Sequence, residues 1–437
     1  MIINTDKIKS DDSIKMKMAD NFSDKFISNV YEYFNLLENN ISKINPKEAL
    51  DMLSILTNFR RYFTSESDWE RLTLSTLDTL RKGVNRSLFR GISSFSGLTH
   101  LAYSVYGLSL IAPKVKPFLE GINKVLLDNL ALFMKKSDDN DFKTAGIYEV
   151  INGLSSPLRF LLNFRDDERI DSMISQIIKV LVDRSKSITI LDHTITGWHY
   201  FPSESEKQFM DVEAKNGVIN YGLSHGMSGP LAALSLAHKN GVRAEGLEDA
   251  ISGLVSEYMK AVYYFNDVAY WPGRITFEQY VGLEDIEKAP RQMSWCYGSP
   301  GILRVLYLYG VSMSDDKAKR FAVEELIKIA KMPLVNYFLD QPIVCHGLIG
   351  TAEILNLMYL DTGEQGFYQR AREMVEICVG YDMERCYEIA KRIRFELNAP
   401  SQIDSHNHLE GFNGIIQTTL SIITGCPNEN DMRLMIM

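Results

Sequence analysis

The chain has 437 residues, 45% of them hydrophobic and 24% charged, a balance that excludes a disordered tail protein or a collagen-like chain. A net charge of −9 with no long basic run argues against a nucleic-acid-binding surface. Five cysteines, an odd number, do not make a secreted disulfide framework and point to a reducing cytoplasm.

The opening stretch, MIINTDKIKSDDSIKMKMADNF, is charged throughout and lacks the apolar segment of a signal peptide. The first 90 residues are polar-rich and helical in pattern, and are expected to supply outer-layer helices. Gly91 to Pro113 is the longest uncharged stretch and has about the length of a membrane span. It holds His100, Tyr103, Tyr106 and several serines, so a helix buried in protein is the better reading. Apolar residues then recur at helical spacing: Leu119, Ile122, Leu126, Leu130 and Phe133; Ile174, Ile177, Ile178 and Leu181; Val323, Leu326, Ile327 and Ala330. The last of these stripes follows Ser314-Asp315-Asp316, a helix-start signal, and stops before Pro333. Two segments break the pattern, at about 187–220 (ITILDHTITGWHYFPSE) and 263–291 (YYFNDVAYWPGRITFEQYVGLED). Their β-branched and aromatic residues predict excursions with short strands.

A repeat underlies the rest. Ser94-Phe95-Ser96-Gly97, Gly153-Leu154-Ser155-Ser156, Gly226-Met227-Ser228-Gly229, Gly298-Ser299-Pro300-Gly301, Gly347-Leu348-Ile349-Gly350 and Gly411-Phe412-Asn413-Gly414 share a small-x-x-small start, and several run straight into an apolar helix. Their starts are 59, 73, 72, 49 and 64 residues apart, room for two helices and their loops. The pattern predicts an all-α protein of helical hairpins, with amphipathic outer helices and apolar inner ones. Glycine at the turn would permit close backbone approach and unusual φ. A closed ring buries both faces of each inner helix, whereas an open solenoid would need polar caps that the sequence does not display. All the turns would then share one mouth, with both excursions beside it.

The residues just before the turns differ from repeat to repeat: Glu149, His225, Cys296-Tyr297, Cys345-His346 and His408-Leu409-Glu410. Packing requires no such variety. Cys296 and Cys345 both lie two residues before the turn glycine, and with His346 they offer two thiolates and an imidazole, a donor set that suits zinc. The competing reading is two ordinary buried cysteines. Asp404, His406 and His408 form a second metal-like set that reads better as a solvated loop. His225 is a candidate general acid or base, or a turn cap. Cys378, Cys386 and Cys426 carry no assigned chemistry. Trp198, Tyr200, Phe201 and Trp271 are candidates to line a peptide groove, with ordinary packing the favoured alternative.

Ser224-His225-Gly226-Met227-Ser228-Gly229, Trp295-Cys296-Tyr297-Gly298-Ser299-Pro300-Gly301, Cys345-His346-Gly347 and Leu409-Glu410-Gly411-Phe412-Asn413-Gly414 carry a resemblance. Over about residues 90 to 437 the chain resembles the lanthionine synthetase C-like family, and within it the stand-alone class I lanthipeptide cyclases of the nisin-cyclase kind. The resemblance implies an α/α toroid, with residues 90–437 as the cyclase domain and 1–90 as a helical N-terminal segment. It implies one zinc per chain, held at the mouth by Cys296, Cys345 and His346. It implies the reaction too: a cysteine thiol of a precursor peptide adds to dehydroalanine or dehydrobutyrine, giving a lanthionine or methyllanthionine thioether. His225 would act as acid or base, and Tyr297 would donate a hydrogen bond to the enolate oxygen. The family's aspartate is replaced by Glu149 and its arginine position by Gln292, so that Arg291 could serve only through a shifted register.

The implied partners are a dehydrated precursor peptide with its leader, a dehydratase and an ABC exporter. The implied location is the cytoplasm, with peripheral association at the inner face of the membrane, and the implied state a monomer. Two other readings compete: a carbohydrate-active α/α barrel with Glu149 and Glu410 as paired carboxylates, and a non-catalytic relative that binds thiols or peptides.

Overall fold

The computed structural model describes residue 3 and residues 22–41, 44–89, 91–138, 144–204, 206–207, 214–380 and 407–437. In chain order the helices begin with α1 (Phe22–Asn40), α2 (Pro46–Asn58), α3 (Glu66–Asn85), α4 (Leu98–Ile111), α5 (Lys116–Asp138), α6 (Ser155–Leu161) and α7 (Glu168–Ser185). Strands β1 (Ile188–Ile190), β2 (His193–Ile195) and β3 (Val218–Asn220) follow, then α8 (Ser228–Lys239) and α9 (Leu247–Ala261). Next come β4 (Tyr263–Phe265), β5 (Val268–Tyr270), β6 (Arg274–Thr276) and the single turn α10 (Phe277–Tyr280). The chain closes with α11 (Ser299–Ser312), α12 (Asp316–Lys331), α13 (Leu348–Thr362), α14 (Gln365–Val379), α15 (Phe412–Thr424) and α16 (Glu429–Arg433).

These elements form two compact units. One comprises residues 1–90, 100–121 and 339–429; the other comprises 91–99, 122–338 and 430–437. In the first unit, α13 and α15 pack on each other and α14 packs on both, while α15 also meets α1 and α2. In the second, α6, α8 and α11 pack in succession, with α7, α9 and α12 against them.

Both helix types expected from the sequence are present. Helix α11 is buried from Ser299 to Gly310 and α13 from Leu348 to Met358. By contrast, α7 buries one stripe that includes Ile174, Ile177, Ile178 and Leu181, as its spacing predicts. In α12 the stripe is rotated slightly from expectation: Ala322, Leu326 and Ile329 are buried, while Val323 and Ile327 are only half-buried. Asp315 accepts from the Lys317 and Ala318 amides and caps this helix. Helix α2 departs from an outer-layer reading, being buried from Ala49 to Thr57. Its start is fixed by a reciprocal cap between Asn45 and Glu48 with Pro46 at the first position. The Gly91–Pro113 stretch forms the 14-residue α4, and no helix among the described residues is long and apolar enough to cross a membrane.

The two excursions do contain strands, in three antiparallel two-stranded sheets. Pairs β1–β2 and β4–β5 are local hairpins, each lying within one excursion. The third pair, β3–β6, joins the two excursions, with Val218 opposite Thr276, Ile219 opposite Ile275 and Asn220 opposite Arg274.

The repeated turn has a common backbone plan. The amides of Leu98, Leu154, Met227 and Leu348 donate to the carbonyls of Gly91, Ile147, Asn220 and Gln341, each seven residues back. Successive turns are stitched together as well: Ser94 N–H donates to Ile151, Val150 to Ser224, Leu223 to Cys296 and Cys345 to Leu409. The glycines serve this plan through space and not through φ. Gly298 and Gly347 have φ of −92° and −126°. A Cβ on Gly301, Gly350 or Gly414 would lie 2.2, 1.9 or 1.8 Å from the carbonyl oxygen six residues earlier. The unusual φ expected at these positions is absent, because the chain needs room there and not a left-handed conformation.

Gly350→Ala should therefore destabilise the protein by about 1–3 kcal/mol through overpacking against backbone that cannot rotate away. Gly121→Ala, in α5 with nothing within 4 Å of the new methyl, should stabilise by about 0.5–1 kcal/mol through reduced unfolded-state entropy. Thermal unfolding of the two variants should shift in opposite directions.

Candidate functional site

The second, third and fourth turns lie in one unit and place Glu149, His225 and Cys296-Tyr297 on hydrogen-bonded neighbours. The Val150 amide donates to the Ser224 carbonyl at 3.1 Å, and the Leu223 amide to the Cys296 carbonyl at 2.7 Å. Backbone hydrogen bonds thus join the turns that carry these groups.

Glu149 and His225 meet directly, with His225 Nδ1 2.6 Å from Glu149 Oε2. Glu149 is buried, and its oxygens also accept from the amides of Ile151, at 3.1 Å, and Asn152. Three N–H donors converge on one carboxylate, so His225 carries its proton on Nδ1 and turns Nε2 outward. Burial works against a charged His225, but the hydrogen bond and charge of Glu149 outweigh it and hold the imidazole above its ordinary value of 6.5. The His225 side chain is 41% exposed and its partner 2%. The group that can exchange protons is open, and the group that orients it is enclosed. With its oxygens engaged by these three donors, Glu149 holds His225 in place.

Tyr297 is half-buried beside Cys296. Its hydroxyl accepts from Asn220 Nδ2 at 3.1 Å and from an Arg274 guanidinium nitrogen, and the Arg274 guanidinium carbon stands 5.0 Å from the ring centre. Burial raises the phenol's pKa, while the charge of Arg274 and the hydrogen bond from Asn220 lower it, and the net shift is upward. Tyr297 therefore keeps its proton near neutral pH. The ring lies against the backbone of Gly222, where a Cβ would fall 2.6 Å from Cδ1.

Arg291 donates to the Tyr263 hydroxyl at 3.3 Å. It lines the same cavity of about 560 Å³ as Arg274, Gln279 and Tyr297. Arg274 is thus the arginine bonded to Tyr297, and with Asn220 it escaped the sequence reading. The signal was available in outline, since each stands in a strand-like excursion, but the β3–β6 pairing that makes them neighbours is not legible in either alone. Of the aromatics considered for a peptide groove, Trp198, Tyr200 and Trp271 are at most 2% exposed and belong to the core, whereas Phe201 is exposed. Trp271 Nε1 donates to the Tyr258 carbonyl at 2.8 Å.

Cys296 is buried at the turn before α11, with Ser294 Oγ 3.6 Å from its sulfur. The other two candidate metal donors sit in the other unit. Cys345 and His346 are half-buried at the turn before α13, where the Cys345 amide donates to the Leu409 carbonyl at 2.9 Å. Glu410 follows in the last turn, half-buried, its amide held by Asn407 Oδ1 at 3.0 Å. His408 is buried, whereas Asp404 and His406, its partners in the second metal-like set, lie outside the described residues, as does Cys386. Cys378 is buried against the Pro342 carbonyl and Cys426 is exposed.

The family profile described as lanthionine synthetase C-like protein matches residues 56–433. The chain belongs to that family. Within the family, nisin biosynthesis protein NisC of Lactococcus lactis subsp. lactis is 27% identical over 270 residues, which is 61% of this chain and 62% of the relative. The aligned part thus spans less than two thirds of that relative. Among solved structures, nisin cyclase matches with a TM-score of 0.77 at 20% identity, covering 94% of this chain and 97% of the other. At that identity the likeness shows the fold, an α/α toroid.

In this family member, removing the carboxylate charge should unlock the imidazole. His225 in Glu149→Gln should titrate below its wild-type value, since burial then acts without an opposing charge. Histidine-selective NMR across pH 5 to 9 (about, around the usual range) would show it, and an unchanged His225 titration would refute the pairing.

Proposed function

We propose that this chain is a zinc-dependent lanthipeptide cyclase, closing (methyl)lanthionine rings in a lantibiotic precursor. The observation that carries the reading is local. The turn bearing the Cys296 thiol is hydrogen-bonded to the turn bearing His225, and His225 is oriented by Glu149. A metal-type thiol donor and an oriented proton-transfer group thus stand on adjacent turns of a lanthionine synthetase C-like protein.

Cys296, Cys345 and His346 are the residues that would hold zinc. Their fit is chemical: two thiols and one imidazole are a donor set that suits zinc better than a hard cation. Zinc bound there supplies stabilisation of a thiolate near neutral pH.

The chain's own residues supply the rest. His225 Nε2 faces outward with its lone pair available, so it takes the proton of the incoming peptide thiol. The sulfur then forms its new bond to the β-carbon of the dehydro residue, and the alkene electron pair moves to the α-carbon and carbonyl as an enolate. Tyr297 donates to the enolate oxygen, and protonated His225 returns its proton to the α-carbon. One S–C bond and one C–H bond form, one S–H bond and one π-bond are lost, and no redox partner is needed. Holding thiol and alkene together makes ring closure an oriented intramolecular step. Arg291, on the wall of the cavity that Tyr297 also lines, contacts the peptide in this reading.

The substrate is a precursor peptide whose serines or threonines have been dehydrated beforehand. A dehydratase supplies it and an ABC exporter removes the product, which places the chain in the cytoplasm, as a monomer that meets the membrane peripherally. NisC is named for nisin biosynthesis, and the corresponding role for this chain is on a precursor of the same chemical type.

Freshly purified protein should contain about one zinc per chain by elemental mass spectrometry, lost in Cys296→Ala and in Cys345→Ala, as the three-ligand site requires. His225→Ala should keep its zinc and slow ring closure by about 10²–10⁴-fold. Metal-free wild-type protein that still closed rings would sink the zinc mechanism.

A further inference from the structure

We infer that Asn220 and Arg274 are positioning residues that aim the Tyr297 hydroxyl at the reacting carbonyl. This rests on the cyclase reading above and adds residues to it. A phenolic oxygen offers one O–H donor and acceptor room for two partners. Here both partners are donors. Arg274 has no acceptor atom at all. Asn220 is fixed with its amide nitrogen toward Tyr297, because its Oδ1 accepts from the Gly222 amide at 2.9 Å. With both acceptor places filled, the Tyr297 proton must point away from Asn220 and Arg274, and among the described residues no acceptor is bonded to it. Tyr297 and Arg274 both line the cavity of about 560 Å³.

The framework that holds the pair is stiff. Asn220 and Arg274 stand opposite each other across the β3–β6 ladder. Asn220 is fully buried, and its own carbonyl accepts from Met227 at 2.9 Å, within the turn that carries His225. Gly222 closes the third side, since a side chain there would strike the Tyr297 ring. No carboxylate among the described residues pairs with Arg274, and its charge acts on the phenols of Tyr297 and the neighbouring Tyr200. Two donors on an oxygen polarise its O–H and strengthen the bond that it donates. A donor preset toward a developing oxyanion contributes without reorganisation during the reaction.

The test is a double-mutant cycle on a synthetic peptide carrying one dehydroalanine and one cysteine, with loss of free thiol as the readout. Asn220→Asp keeps the acceptor for Gly222 but replaces the donor by a carboxylate that would capture the Tyr297 proton. Arg274→Gln removes the charge. Each should lower kcat by roughly 10-fold or more, with KM changed less than about threefold, and Arg274→Lys should recover part of the loss. In a Tyr297→Phe background each should cost less than about twofold, because the group they aim is gone. Zinc content and thermal midpoint check that each variant is folded; if Asn220→Asp is not, the Arg274 arm decides alone. Losses that multiply fully in the Tyr297→Phe background, or single variants with unchanged kcat, would overturn the inference and leave the cyclase reading intact. A zinc-loaded wild type that closes no ring would overturn both.

Discussion

Everything that the site presents depends on backbone passing through backbone with no room for a methyl group. At Gly301, Gly350 and Gly414 the carbonyl of the residue six earlier occupies the space that a Cβ would fill. That clearance lets the chain fold back into a tight loop and then enter a helix at once. The amide seven residues on closes the same loop at several of the turns. The side chains just before the glycine are left out of this closure. Their identity is free, and in this chain they are Ser96, Asn152, His225, Tyr297, His346 and Glu410.

The second organising feature is a consistent direction of hydrogen bonding around Glu149 and Tyr297. Glu149 collects three N–H donors and therefore fixes the histidine tautomer. The Tyr297 oxygen collects two donors and therefore fixes where its proton points. In both cases a group already satisfied on one side is made specific on the other. Neither arrangement needs a salt bridge on the surface, where solvent would weaken it.

Much of this was legible in the sequence, because periodicity and small-residue spacing report directly on packing. The Ile174 to Leu181 stripe, the Asp315 cap and the turn glycines each correspond to an element. Glu149 and His225 were visible as unusual residues near the turns, four residues and one residue before their glycines. Their contact was not visible, because 76 residues separate them and only the stitching of adjacent turns brings them together. Arg274 was hidden for a related reason. A three-residue strand carries too little pattern to reveal its partner, and attention to spacing along the chain favoured Arg291, which instead bonds Tyr263. The burial of α2 escaped notice because Asp51, Ser54 and Thr57 make a core helix look wet. The turn glycines were correctly located but given the wrong reason, since nothing in a sequence distinguishes a glycine needed for its φ from one needed for its missing volume.

The stitching of turn to turn has a consequence for how such a protein changes over time. Because the loop is closed by main-chain groups and glycine clearance, the position just before each glycine is nearly independent of the fold. Ser96 and Asn152 occupy it in the first two turns, where the reading above asks for no chemistry. The architecture thus behaves as a socket board with fixed wiring and exchangeable plugs. New reactivity can be sampled by single substitutions at places where the cost to folding is low, and old reactivity can be erased in the same way. A barrel whose scaffold was silent and whose mouth was reactive would leave relatives with the same shape and different occupations.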